Sequence, residues 1–181
     1  MPPMRQREPR SSWGLALGVV VLAAICTVVQ SGCGSGEPAA DKVLQVEDVV
    51  TGWLDDGIVD DGSGTKQNKL VPTISYKVKN TGVGSVSYVS FNAVFKVIDD
   101  PEELGASLLK GIDGNGLPPG QTAGPFVARS QLGYTSPAPR MQMLQHSLFK
   151  DAQVELFSKH RSGGWIKIGQ YKIQRQVLTK E

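Results

Sequence analysis

The feature that most restricts what this chain can fold into is a two-residue rhythm of apolar side chains, cut at short intervals by glycine, proline, asparagine and aspartate. Val89, Phe91, Ala93, Phe95 and Val97 share one parity. Successive side chains of a strand point to opposite faces, so this spacing puts all five on one side. Ile74, Tyr76 and Val78 repeat the pattern, with Thr73, Ser75, Lys77 and Lys79 on the other side. One face is then buried and one is wet, as in an antiparallel sheet. Pairing of these two segments is expected to build the centre of a sheet.

Weaker segments follow the same logic. From Val43 to Leu54, Leu44, Val46 and Val50 share a parity that Asp48 interrupts, which suggests an edge strand. Residues 55–69 hold four aspartates and three glycines and read as a loop. Asn80-Thr81-Gly82-Val83-Gly84 reads as a turn, because asparagine and glycine tolerate positive φ. Asp99-Asp100-Pro101-Glu102-Glu103 is a second acidic loop, its proline unable to donate to a ladder. A strand is expected over 104–112, turns at 113–116 and 118–120, and a strand through Phe126, Ala128, Ser130, Leu132 and Tyr134 that Pro137 and Pro139 stop. Met141, Leu144 and Leu148, spaced by three and four, predict a short helix between Arg140 and Phe149. Ala152, Val154 and Leu156 form another inward face, ended by a turn at 162–164. Ile166 and Ile168 are even while Tyr171 and Ile173 are odd; an extra residue flips every later side chain, so a bulge is expected near Gly169. About seven short strands joined by such turns argue for an all-β, antiparallel two-sheet sandwich over residues 43–181, its middle filled by Phe95 or Trp165.

The head of the chain obeys different rules. Arg5, Arg7 and Arg10 precede an apolar stretch from Trp13 to Val29, then Gln30-Ser31-Gly32-Cys33. A basic region, an apolar core and small residues before a cut are the parts of an export signal. The core from Leu15 to Val29 is 15 residues long, short of the ~20 that a permanent span needs. This end resembles a bacterial lipoprotein precursor, whose lipobox places Ser/Ala and Gly/Ala before the modified cysteine. Ser31 and Gly32 match; Gln30 stands where an apolar residue is usual, and bulky Ile25 makes Cys26 a poorer fit. The resemblance implies cleavage before Cys33, lipidation of Cys33, and an address in the cell envelope, on the outer membrane or periplasmic face; the other reading of residues 1–33 is a retained signal anchor helix. Cys26 lies in the apolar core, so Cys33 is left alone in an oxidising compartment, where acylation removes a reactive thiol. Several acyl chains hold a bilayer nearly irreversibly at about 0.8 kcal/mol per buried CH₂. Residues 34–42, with Gly34-Ser35-Gly36, read as a flexible tether.

Of 19 basic and 17 acidic residues, Arg5, Arg7, Arg10 and Glu8 fall in the leader, so the domain beyond it carries equal numbers of each. No basic stripe is present to neutralise phosphates, which argues against nucleic acid as a partner. With no second cysteine beyond the leader, apolar burial alone must hold the domain, at about 25 cal/mol per Å². Val78-Lys79-Asn80-Thr81-Gly82, the aromatic alternation of Val89 to Lys96, and Leu117-Pro118-Pro119-Gly120 together resemble the FxLYD-type and related immunoglobulin-like domains of bacterial envelope proteins. That resemblance implies an immunoglobulin-like β-sandwich and carries no agreed catalytic residues.

Chemistry is sparse. His146 and His160 are the only histidines, neither next to a nucleophile in a recognisable elbow, and no enzyme activity or cofactor is expected. Asp55, Asp56, Asp60 and Asp61 form an oxygen-rich run of the kind calcium takes, but without the alternating spacing of an EF-hand loop. Tyr88, Trp53 and Trp165 are candidate anchors for a protein contact, since aromatics dominate interface hot spots. The leading expectation is therefore a non-enzymatic, membrane-tethered envelope module with a binding or structural role and an envelope protein as partner. The alternative is a ligand- or calcium-binding accessory protein using acidic loops 55–61 and 99–103.

Overall fold

The computed structural model describes residues 40–60 and 62–179. The leader, Cys33, most of the tether and Asp61 lie outside the described residues. Among those described, no helix is long and apolar enough to cross a membrane.

The chain is mostly strand, in two sheets that form a sandwich-like arrangement. One turn of helix, α1 (Ala40–Val43), leads directly into β1 (Leu44–Asp60), and Ala40 and Val43 are already buried in the core. β1 pairs antiparallel with β2 (Lys66–Asn80) along nearly its whole length. The other side of β2 takes β5 (Thr122–Arg129) on its second half and β6 (Tyr134–Ser136) on its first. β9 (Val177–Leu178) adds a parallel pair at Trp53 and Leu54 of β1. The second sheet runs β4 (Glu103–Ile112), β3 (Val89–Val97), β7 (Ala152–His160), β8 (Ile166–Lys172). A six-residue helix, α2 (Arg140–Gln145), lies between β6 and β7.

The two strongest sequence signals sit where period two puts them. Ile74, Tyr76 and Val78 are fully buried, and so are Phe91, Ala93 and Phe95. They are not neighbours in one sheet, however: β2 belongs to one sheet and β3 to the other. They meet face to face, with the Tyr76 and Phe91 rings 5.8 Å apart at 84° and Phe126 5.1 Å from Phe91. Alternation dictates which side of a strand is buried; it does not choose the hydrogen-bonded neighbour.

Three local expectations are revised by register. Asp48 has φ 51° and sits in a bulge, where two residues of β1, Asp48 and Val49, oppose the single residue Tyr76 of β2. The parity of β1 therefore flips: Val50 is 48% exposed while Thr51 and Trp53 turn inward. Beyond it, residues 55–60 are strand rather than loop. The hairpin continues through Asp55↔Leu70 to Asp60↔Lys66, and cations brought from distant parts of the chain balance its acids. In α2 the buried residues are Met143 and Leu144, whereas Met141 and Leu148 are 55% and 81% exposed. The expected bulge near Gly169 is present: Leu156 faces Gly169 and Phe157 faces Lys167, leaving Ile168 as the extra residue.

The Asn80 turn works by side-chain bonding rather than positive φ. Asn80 is fully buried. Its Nδ2 donates to the carbonyls of Gly84 and Leu117 at 2.8 and 2.7 Å, and its Oδ1 accepts from the Gly82 N–H at 2.9 Å. The turn after β5 is held by Ser130, whose hydroxyl donates to the Leu104 carbonyl and accepts from the Leu132 N–H. Gly133 then brings the chain back against Leu70 so closely that a Cβ would collide with the Leu70 carbonyl. This close approach seats β6 on β2.

Candidate functional site

Two aromatic clusters fill the interior. Tyr76, Phe91 and Phe126 form the first. The second is Trp53, Tyr134 and Phe149, with centroids 4.6–5.3 Å apart. Trp53 is fully buried, so it is core rather than the surface anchor the sequence suggested. Tyr88 and Trp165 are 58% and 42% exposed. Arg161 lies over the Tyr88 ring and the Lys159 ammonium over Trp165, each at 5.9 Å, so Phe95 and not Trp165 fills the sandwich.

Against the second cluster the surface opens into a cavity of about 320 Å³, within the size range of small-ligand sites. Tyr134, Met143, Leu148 and Phe149 give it apolar walls; Thr135, Ser136, Gln142 and His146 bring polar groups. His146 Nδ1 accepts from the Leu148 N–H at 3.2 Å. One wall is the strand β6, and the other is the segment 138–149 that includes α2.

That segment is fastened at many points. Arg140 pairs with Asp55 at 2.5 Å, and Asn68 Nδ2 donates to the Ala138 carbonyl at 2.9 Å. Lys150 pairs with Asp100 at 2.9 Å, and the Tyr134 hydroxyl donates to the Lys150 carbonyl at 3.3 Å. Arg175 donates to the carbonyls of Leu144 and Phe149 at 3.1 and 3.0 Å, stacks 5.2 Å from the Phe149 ring, and pairs with Asp151 at 2.7 Å. The Lys172 and Arg175 hydrogen bonds hold the Asp151 carboxyl below the usual carboxylate range, and the Lys150 hydrogen bond does the same for Asp100.

Ion pairs and hydrogen bonds engage Asp55, Asp56 and Asp60 of the first acidic run and Asp100 of the second. Asp55 faces Arg140, and Asp56 faces Lys69 at 3.3 Å and Arg129 at 3.7 Å. Asp60 accepts from the N–H groups of Gly62 and Gly64. In the second run Asp100 accepts from Lys150 and from the Glu102 N–H. No cluster of three potential metal ligands occurs among the described residues. Of the histidines, His146 lines the cavity, and His160 ends β7 opposite Val89. The cavity's lining comes from one continuous stretch, residues 134–149, but the sequence did not mark it, because its best residues, Tyr134 and Phe149, read as a strand end and a helix end, and only the fold of the segment between them sets them side by side.

A second depression, of about 580 Å³, lies on the first sheet among Val50, Leu54, Pro125, Val127 and Leu178, with Thr73, Ser75, Arg129 and Thr179 as its polar neighbours.

No family model matches the chain, and no curated protein matches it. Solved structures do. A Northeast Structural Genomics Consortium target is 13% identical, with 75% of this chain and 89% of that one covered and a TM-score of 0.37. A Bordetella pertussis protein described as ApaA is 17% identical, with 73% and 93% covered and a TM-score of 0.38. Neither likeness is close enough to assign a fold family or a function.

Proposed function

We propose that this chain is a non-enzymatic binding module of the bacterial cell envelope, tethered to a membrane through lipid on Cys33 and holding its partner at the cavity between β6 and the segment 138–149. The observation that carries the reading is that cavity: apolar walls, a few convergent polar groups, and a lid segment fixed by ion pairs and carbonyl contacts. A preformed concave site with this mix of groups is the usual form of a binding site, and fixing it beforehand lowers the ordering cost of association. The basic head, apolar core and Ser31-Gly32-Cys33 of the leader support the address. The two-sheet arrangement and the Asn80 turn support kinship with immunoglobulin-like envelope domains.

Two measurements test this. Intact-mass analysis of membrane-extracted protein should find an acylated N-terminus at Cys33 that Cys33→Ser abolishes; an unmodified full-length chain would leave a retained anchor as the tether. A small apolar probe such as indole should perturb NMR signals of Tyr134 and Phe149 saturably, and Leu148→Arg, which puts a charge at the cavity, should remove that response. No saturable response in the unaltered chain would end the binding reading.

A further inference from the structure

We propose that the cavity's occupant is an extended peptide that adds to β6 as a further strand and buries a large apolar side chain against Tyr134, Met143 and Phe149. This rests on the binding reading above and specifies its ligand. The decisive observation is that Tyr134, Thr135 and Ser136 line the cavity consecutively. Side chains of a strand alternate between faces, and a cavity that runs along the strand's edge meets three residues in a row.

That edge is open. β6 pairs with β2 through Tyr134↔Leu70, Thr135↔Lys69 and Ser136↔Asn68, and no strand pairs with its other side among the described residues. In an antiparallel pair, alternate residues turn their N–H and C=O groups away from the partner. Part of β6 therefore aims backbone donors and acceptors outward, beside an apolar cavity. Another peptide backbone has the complementary chemistry: a strand added to a free edge gains affinity from main-chain hydrogen bonds and specificity from a pocket for an alternate side chain. The fastened segment stands across the cavity from this edge, and covering an edge with a loop or helix is one way a sheet avoids indiscriminate pairing.

The test uses the full-length chain and capped heptapeptides of alternating threonine and valine, with leucine, phenylalanine or tryptophan at the centre and lysine at each end. Fluorescence polarisation should give saturable binding for at least one central residue. Methylating alternate backbone nitrogens of that peptide should raise Kd at least tenfold, because it removes the main-chain donors and leaves the side chain intact. Leu148→Arg should raise Kd at least tenfold as well, and Thr135→Pro, which removes a β6 N–H, serves as a second variant. Equal binding of the methylated peptide would overturn strand addition. Binding of indole but of no peptide would also overturn it while leaving the binding reading in place; binding of neither would sink both. Self-association of the chain, abolished by Leu148→Arg, would place a second copy at β6 and overturn the peptide proposal.

Discussion

Tyr76 is a residue in tension with its place. Its ring is fully buried between Phe91 and Phe126, yet its hydroxyl has no hydrogen-bond partner among the described residues. Burial pushes its phenol well above the ordinary range. A buried hydroxyl left unpaired costs about 1–3 kcal/mol in desolvation, and phenylalanine keeps the ring contacts. Tyr76→Phe should therefore raise stability by about 1 kcal/mol, read as a higher thermal midpoint; a fall of similar size would mean the hydroxyl has a partner. Asn80 is the opposite case, since every polar atom of its side chain is bonded. Asn80→Ala removes three hydrogen bonds, leaving the Gly84 carbonyl and the Gly82 N–H without theirs while the Leu117 carbonyl keeps the Val86 N–H, and should cost about 2–4 kcal/mol, at about 1 kcal/mol or more per bond, measured by chemical denaturation. The sequence marked Asn80 as a turn residue but not as a buried one. Composition names a turn former without telling which atoms the turn will employ.

Among the elements, legibility follows how local the controlling force is. The inward faces of β2, β3 and β7 were plain from alternation, as was the bulge beside Gly169, because each depends on residues two positions apart. Strand neighbours were not, since Tyr76 meets Phe91 across the sandwich rather than beside it. The acidic hairpin 55–60 read as loop because the cations that balance it, Lys69, Arg129 and Arg140, lie up to 85 positions away. The cavity was illegible for another reason: its lining is contiguous, residues 134–149, but periodicity does not show how that segment folds back on β6. The hairpin's role in fastening Arg140 leads to a further expectation. Asp55, Asp56 and Asp100 already face cations, so calcium or EDTA should leave the thermal midpoint unchanged, whereas a ligand bound to the native state at 100 times its Kd adds about 2.7 kcal/mol. A calcium-dependent rise of several degrees would restore the acidic loops as a metal site.

For the whole molecule, charge pairs bind the periphery more than the core. On the outer face of the second sheet, Glu155 lies between Lys167 at 2.6 Å and Lys96 at 2.8 Å; hydrogen bonds from Lys167, then Lys96, hold it below the usual carboxylate range. Asp151 is lowered likewise by Lys172 and Arg175. A carboxyl with a depressed folded pKa binds fewer protons folded than unfolded. Its stabilising contribution is complete above the unfolded value, about 4, and is lost as pH falls through the lower folded value. The thermal midpoint should thus be level from neutral pH to about 5 and decline steadily below about 4; Glu155→Gln should flatten part of that decline. The pairs are partly exposed, so salt should weaken the effect.

The fold begins at one end of a long hairpin: β1 enters at Leu44 opposite Asn80, while β6 borders the far end of β2 at Leu70. Were the chain tethered and occupied as proposed, a pull between membrane and partner would run lengthwise down this ladder. Its rungs would then share the load together instead of parting one at a time, which suits a coupling that must survive being tugged.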